Sequence, residues 1–491
     1  MEKKDYTEIK LTVSQDKVLK QMLDFIKHPI DRVFILKGYA GTGKTTLMRY
    51  LIEELKLQEK HFRLLASTGR AAKILSNLSG QENMQASTIH SLVYTFNGLN
   101  KEYDDKEEVK VDTNGQLFLM FEPSILDKDS PETIYIIDEA SMVSDMPVKL
   151  ITQAKFGSGR LLKELLDYDN RDKSKYIFVG DPCQLPPIRE YYSPALMPEY
   201  FERQFGIHAQ EAQLTEIMRQ DGVSGIVDAS KKIRGLYSNA PDDKSCYGSQ
   251  KAWGFLPFGN NKDIQLHPNV EDMTDAYVEQ VKKDGLNSAV CICRENRMCA
   301  RLSANIRAKL GMKSGSLQVG DLLMVVQNNL GTGLMNGDMV IVEEISTQYT
   351  QRAMLTFRSI KVKELFTGKS YNSLLIEELL NQAAVNLNNE QQKDLFIDFI
   401  LRMRDKGITQ KRNKKLFYSA MQDDPYLNAL RCVYGYAITC HKSQGGEWED
   451  VYVHVPRNIT LNPTKESYQW IYTAMTRAKK TLHMVKDFYI R

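Results

Sequence analysis

Gly38-Tyr39-Ala40-Gly41-Thr42-Gly43-Lys44-Thr45-Thr46 is the stretch that decides how this chain is read. It fits the pattern G-x-x-x-x-G-K-[ST], with the strand-like run Val33-Phe34-Ile35-Leu36 before it and the helix-like residues 46–55 after it. Glycines let a backbone turn tightly enough to aim its N–H groups at phosphate oxygens. The lysine offsets their charge and the following hydroxyl ligates Mg²⁺. Gly38, Ala40, Gly41, Thr42, Gly43, Lys44, Thr45 and Thr46 are therefore the expected nucleotide-binding residues, against the plainer reading of a glycine turn.

A phosphate cradle hydrolyses nothing by itself, so a carboxylate is needed at the end of a neighbouring strand. Ile134-Tyr135-Ile136-Ile137-Asp138-Glu139 supplies two. Adjacent positions at a strand end can aim one at the metal and the other at the attacking water, which assigns Asp138 to Mg²⁺ and Glu139 to the water. Charge on the γ-phosphate also calls for a cation from outside the loop. Arg219 and Arg477 are the candidates, each otherwise readable as an exposed cation on a helix.

At 491 residues the chain exceeds what one core supports and suggests two to four domains. Its 42% apolar and 26% charged composition is that of an ordinary globular protein, and the net charge of +3 neither supports nor excludes a polynucleotide ligand. Seven cysteines, an odd number, suit thiols in a reducing compartment; Cys291, Cys293 and Cys299 lack zinc-finger spacing. The charged start Met1-Glu2-Lys3-Lys4-Asp5-Tyr6 leads into no apolar segment, and no apolar run is long enough to span a bilayer. The expectation is a cytoplasmic protein without a membrane partner.

Strand-like runs recur at 32–37, 62–67, 133–138, 176–180, 288–294 and 450–455, separated mostly by helix-like segments. That alternation predicts an α/β fold with two parallel sheets and crossover helices. Two stretches interrupt it. Asn114-Gly115 between alternating apolar runs predicts a β-hairpin inserted in the first lobe. Residues 343–428 pass from strand-like pieces into a polar helical region with the basic run Lys411-Arg412-Asn413-Lys414-Lys415, readable as a solvated helix end or a DNA contact. The expected division is a first lobe of 1–94 and 131–212 with a hairpin insertion at 95–130. The second lobe is 213–342 and 429–491, with an insertion at 343–428.

Taken in order, the motifs resemble superfamily 1 helicases, most closely the RecD-like and Dda-like subgroup that moves 5′→3′ on single-stranded DNA. Beyond the glycine loop and Asp138-Glu139-Ala140-Ser141-Met142, the matching pieces are Gln15; Ser67-Thr68-Gly69-Arg70-Ala71-Ala72-Lys73; Thr88-Ile89-His90; Gly180-Asp181-Pro182-Cys183-Gln184; His441-Lys442-Ser443-Gln444-Gly445-Gly446-Glu447; and Tyr472-Thr473-Ala474-Met475-Thr476-Arg477. Cys183, Gly446 and Trp448 depart from many relatives. The resemblance implies two RecA-like lobes in tandem, the second carrying a small β-barrel with helical additions. It also implies ATP and Mg²⁺ as cofactors.

For individual residues it implies that Gln15 reads adenine, Gln184 senses the γ-phosphate and Glu447 touches the ribose. DNA would be held by Thr68, Arg70 and His90 on the first lobe and by Thr439, His441 and Lys442 on the second. Phe118 or Phe121 would be a wedge on a hairpin that parts the duplex, unless those rings are the hairpin's own packing face. The implied partners are single-stranded DNA, duplex with a 5′ tail, and proteins of replication or repair, with the chain working as a monomer and DNA recombination among the implied processes. Two alternatives stay open: a helicase on RNA or of 3′→5′ polarity, and a nucleotide-dependent switch that does not unwind. No carboxylate cluster with nuclease spacing is evident.

Overall fold

A strand buried on both faces must be apolar at nearly every position, and the β-branched runs around the glycine loop meet that demand. The computed structural model describes residues 10–78, 85–99, 119–127, 130–147, 154–169, 171, 173–217, 224–259, 261–382 and 386–490. The first strands are β1 (Val33–Gly38), β2 (Phe62–Ala66), β3 (Ser87–Thr88), β4 (Tyr94–Leu99), β5 (Leu119–Pro123), β6 (Ile134–Asp138), β7 (Ala154–Phe156), β8 (Lys175–Gly180) and β9 (Ala209–Leu214). Six of them form one parallel sheet in the order β3-β2-β6-β8-β1-β9. The helix Lys44–Leu57 repeats Leu47, Met48, Leu51, Ile52 and Leu55 at helical spacing. It buries that stripe with Met22 and Phe25 of helix Val13–Lys27 against Phe34, Leu36, Ile136 and Ile177 of the sheet.

The remaining strands are β10 (Ile264–His267), β11 (Ala289–Cys293), β12 (Leu322–Val325), β13 (Met339–Arg352), β14 (Leu355–Glu364), β15 (Ser370–Ile376), β16 (Cys432–Tyr434), β17 (Ala437–Thr439), β18 (Trp448–Val453) and β19 (Ala478–Val485). A second parallel sheet runs β10-β19-β18-β11-β17, the expected second RecA-like lobe. β15-β14-β13-β12-β16 pair antiparallel. Ile376 N donates to Leu430 O at 3.1 Å and Leu430 N to Leu374 O at 2.6 Å, joining β15 to the residues entering β16. The five strands thus close into a small barrel. Its apolar interior includes Leu323, Val325, Val340, Val342, Ile360, Val362 and Leu375.

Contacts divide the chain into two units: 1–93, 124–146 and 160–227; and 94–123, 147–159 and 228–491. This shifts the insertion limits read from the sequence. The barrel is not confined to 343–428, because β12 and β16 lie outside that range and pair in the barrel. Leu322-Leu323-Met324-Val325 is apolar throughout, which a sequence reader takes for a lobe strand.

The first insertion changes too. β5 pairs antiparallel with β4 (Phe96↔Phe121) on one edge and parallel with β7 (Phe121↔Phe156) on the other. Residues 119–121 therefore have no edge left for a partner across Asn114-Gly115. That dipeptide and Phe118 lie outside the described residues. Phe121 stacks on Phe156 at 4.6 Å and meets Phe96 at 5.5 Å, so its ring belongs to a packing face. This small sheet rests on the helices Asn389–Asp405 and Lys414–Asp423, with Phe96 and Leu119 against Phe396, Phe399 and Phe417. The fit is closest at Gly98, φ +135°, where a Cβ would stand 2.4 Å from the Tyr418 hydroxyl.

Candidate nucleotide site and nucleic-acid contacts

Three carboxyl ends meet on the first sheet: β1 leads into the glycine loop, β6 ends at Asp138, and β8 between them ends at Gly180 before Asp181. Gly41 and Gly43 take φ of +77° and +78°, the left-handed region that glycine enters without a steric cost. A Cβ on Gly38 would sit 2.8 Å from both Lys44 Cγ and Thr42 Oγ1, so the loop wraps its own lysine too closely for any side chain. Lys44 Nζ donates to Gly38 O at 2.7 Å and Tyr39 O at 3.1 Å. Thr45, at the first turn of helix Lys44–Leu57, is exposed. A cradle that only glycine permits, a lysine at its mouth and a hydroxyl at a helix start fit a nucleotide with its metal.

Packing around Asp138 raises its carboxyl above the usual range, and the charge of Glu139 beside it raises it further. The Glu139 N–H, donating to Asp138 Oδ1 at 2.9 Å, and the Lys44 ammonium act the other way. A carboxylate held between a like charge and a cation is suited to a divalent ion, which resolves the repulsion. Glu139 has φ +50°, a strained setting for a residue other than glycine, and the Ser67 hydroxyl donates to its carbonyl at 3.1 Å. That strain turns the chain sharply after β6 into the short 3-10 turn Ala140–Met142. Gln184 is buried, its N–H on Asp181 O at 3.1 Å.

Gln15 is the residue expected to read adenine. Buried at the first turn of its helix, it accepts from Thr12 N at 3.1 Å and donates to Thr42 O at 3.1 Å. The amide thus links the helix N-terminus to the glycine loop. Thr68 caps helix Gly69–Leu78, its hydroxyl accepting from Ala71 N at 3.2 Å. Arg70 is half-buried in that first turn, and His90 is exposed on Ile89–Val93.

The other expected residues belong to the second unit, except Arg219, which lies outside the described residues. Arg477 is 4% exposed. Its guanidinium donates to Thr473 O at 3.1 Å and Gly446 O at 3.3 Å, closing the end of helix Lys465–Met475 and tying it to the loop after β17. Thr439 N-caps Cys440–Ser443, which carries His441 and Lys442. Burial lowers both, the lysine to about 8. Lys442 Nζ donates to Asn336 Oδ1. Glu447 is exposed and 3.7 Å from Lys479.

Sequence reasoning missed Gly446 O and Asn336 as the anchors of Arg477 and Lys442. The turn dipeptide Asn336-Gly337 was the available signal for the second. Among the described residues no group of His, Cys, Asp and Glu is placed to hold a metal by itself, and no helix is long and apolar enough to cross a membrane.

Residues 10–240 match a family described as an AAA domain and 434–485 one described as a UvrD-like helicase C-terminal domain. The ATP-dependent DNA helicase Dda of Enterobacteria phage T4 is 23% identical over 489 residues, covering 96% of this chain and 98% of Dda. The ATP-dependent RecD2 DNA helicase of Deinococcus radiodurans is 23% identical over 91% of this chain, which spans only 46% of RecD2. The crystal structure of Pif1 helicase from Bacteroides with ADP-AlF3 and single-stranded DNA superposes with a TM-score of 0.50 at 18% identity, over 99% of this chain and 94% of that one.

Proposed function

We propose, from the premise that this chain is a superfamily 1 helicase of the Pif1, Dda and RecD-like type, that it hydrolyses ATP to move 5′→3′ along single-stranded DNA and part the duplex ahead. The observation that carries this is the convergence of the glycine loop, Asp138-Glu139 and Gln184 on three neighbouring strand ends of one sheet. Lys44 exchanges the carbonyls of Gly38 and Tyr39 for the β- and γ-phosphate oxygens. Glu139 accepts the proton of the attacking water, its carboxylate aimed by the strained turn after β6. Thr45 and Asp138 would hold Mg²⁺, which would neutralise charge developing on the phosphates. Gln184 reports the γ-phosphate, and Arg477, released from Gly446 O and Thr473 O, stabilises it.

The strand is held by Thr68, Arg70 and His90 in the first unit and Thr439, His441 and Lys442 in the second, through phosphate contacts that do not read sequence. Dda and RecD2, both DNA helicases by name, favour DNA over RNA, and the resemblance to their subgroup favours the 5′→3′ direction. Strand separation with labelled duplexes bearing a 5′ or a 3′ tail, each made in DNA and in RNA, tests every part. Unwinding of the 5′-tailed DNA alone is expected. Activity confined to 3′ tails or RNA overturns direction or substrate, and ATP turnover without unwinding of any duplex leaves the switch reading in its place.

A further inference from the structure

After β8 the chain runs through Asp181-Pro182-Cys183-Gln184-Leu185-Pro186-Pro187 and then Ile188-Arg189-Glu190-Tyr191-Tyr192-Ser193. Residues 183–187 are buried and so are 193–196; of the five between them, Ile188, Arg189, Tyr191 and Tyr192 are exposed and Glu190 is half-buried. Ile188 is 70% exposed, Tyr191 73% and Tyr192 45%, which places three large apolar side chains in solvent within five residues. Apolar groups so concentrated on a surface mark a contact site.

The projection is a built structure. Two prolines stiffen its entry and Glu190 N donates to Pro187 O at 2.9 Å. Arg189 is held at φ +72°, a strained conformation for arginine that only the surrounding packing maintains. Glu190 alone turns inward, its carboxylate accepting from the Ser144 hydroxyl and the Asp145 N–H. Asp145 is itself fixed by Arg160 at 2.6 Å and by the Tyr200 hydroxyl at 2.8 Å. The Tyr192 ring backs onto Tyr200, 6.2 Å between centroids, and leaves Tyr191 the more exposed of the two. Ser144 and Asp145 follow Asp138 and Glu139 closely in the chain, so the projection is pinned to the segment leaving the hydrolytic carboxylates.

We infer that residues 188–192 form a stacking platform for the bases of the single strand, a site set by Tyr191, Tyr192 and Ile188 with Arg189 toward the phosphates. The inference rests on the helicase reading above, which supplies the strand. Rigid tyrosines interleaved with an arginine match the chemistry of an unpaired, charged polynucleotide: every base offers a π-face and every linkage an anion. A strand seated there pulls on Glu190, and through it on the residues after Glu139. DNA occupancy and the hydrolytic site then share one short tether.

The test is binding of fluorescein-labelled oligo-dT, and of an abasic oligonucleotide of the same length, to the full chain and to its Tyr191→Ala/Tyr192→Ala variant, followed by anisotropy at fixed salt. Both side chains are exposed, so an unchanged thermal transition serves as the control for folding. The variant is expected to bind oligo-dT roughly 5- to 100-fold more weakly. Both proteins should bind the abasic strand alike, and Tyr191→Trp should restore oligo-dT binding. Affinities for oligo-dT within twofold overturn the platform alone, since the protein still binds the strand. A wild-type chain that binds neither oligonucleotide overturns the platform and the helicase reading together.

Discussion

Lys44 and Arg477 are both cations at rest on backbone carbonyls, and they rest differently. Lys44 is half-buried and holds carbonyls of the loop it serves, Gly38 O and Tyr39 O. Under the proposed function, phosphate arrival and lysine release are one event. Arg477 is almost wholly buried and holds Thr473 O and Gly446 O, which join a helix end to the turn after the short helix carrying Lys442. In the role proposed for it, Arg477 gives up that structural bond pattern. A side chain can thus be spent on function alone, or on function and architecture at once, and only the second kind couples chemistry to shape.

Lys44→Ala and Glu139→Gln probe the first kind. Each should lower steady-state ATP turnover by about 10³-fold or more, with the unfolding free energy within about 0.5 kcal/mol of wild type. Glu139→Gln should still bind nucleotide. Substantial turnover in that variant would show the carboxylate is not catalytic. Arg477→Ala probes the second kind. Turnover should fall by about 10³-fold, and denaturant unfolding should also register a loss of about 1–3 kcal/mol from buried carbonyls left without a donor. A kinetic loss with unchanged stability would erase the contrast between the two cations.

Lys442 sharpens the comparison through pH. Its ammonium sits at about 8 in the free chain because burial opposes the charge. A phosphate favours the charged form, so affinity for a single strand is full well below pH 8 and falls as pH rises through it. Anisotropy titrations between about pH 7.5 and about pH 9 should show roughly a tenfold weakening, which Lys442→Arg removes. The smallest effect belongs to Gln15→Ala, which frees Thr12 N and Thr42 O. A loss of about 1 kcal/mol in unfolding free energy, with nucleotide affinity lowered by a few-fold, is expected. A loss confined to adenine over other bases would instead assign Gln15 to the base.

The parallel sheets were legible because the central strands are largely apolar and meet a helix-forming or turn-forming segment at their ends. β1, β2, β6, β8, β11 and β18 all fall on runs visible in the sequence. The glycine loop and Asp138-Glu139 were legible for a related reason, since their chemistry dictates residue type and spacing locally. What escaped was non-local. β7 has three residues and exists because β5 offers it an edge. β12 reads as a lobe strand until β13 and β16 claim it for the barrel. Gln15 carries a polar side chain whose partner, Thr42 O, is fixed only by the folded loop. The tyrosines at 191 and 192 looked ordinary until burial on either side left them outside.

Gly98 has a bearing on ancestry. Its missing side chain is filled by Tyr418, a residue from the other insertion and far along the chain. Neither piece can be exchanged singly with a relative: a side chain at 98 needs the tyrosine gone, and a different helix leaves a hole beside the glycine. The two insertions are expected to drift as a matched set, changing together in descent while the lobes around them vary on their own.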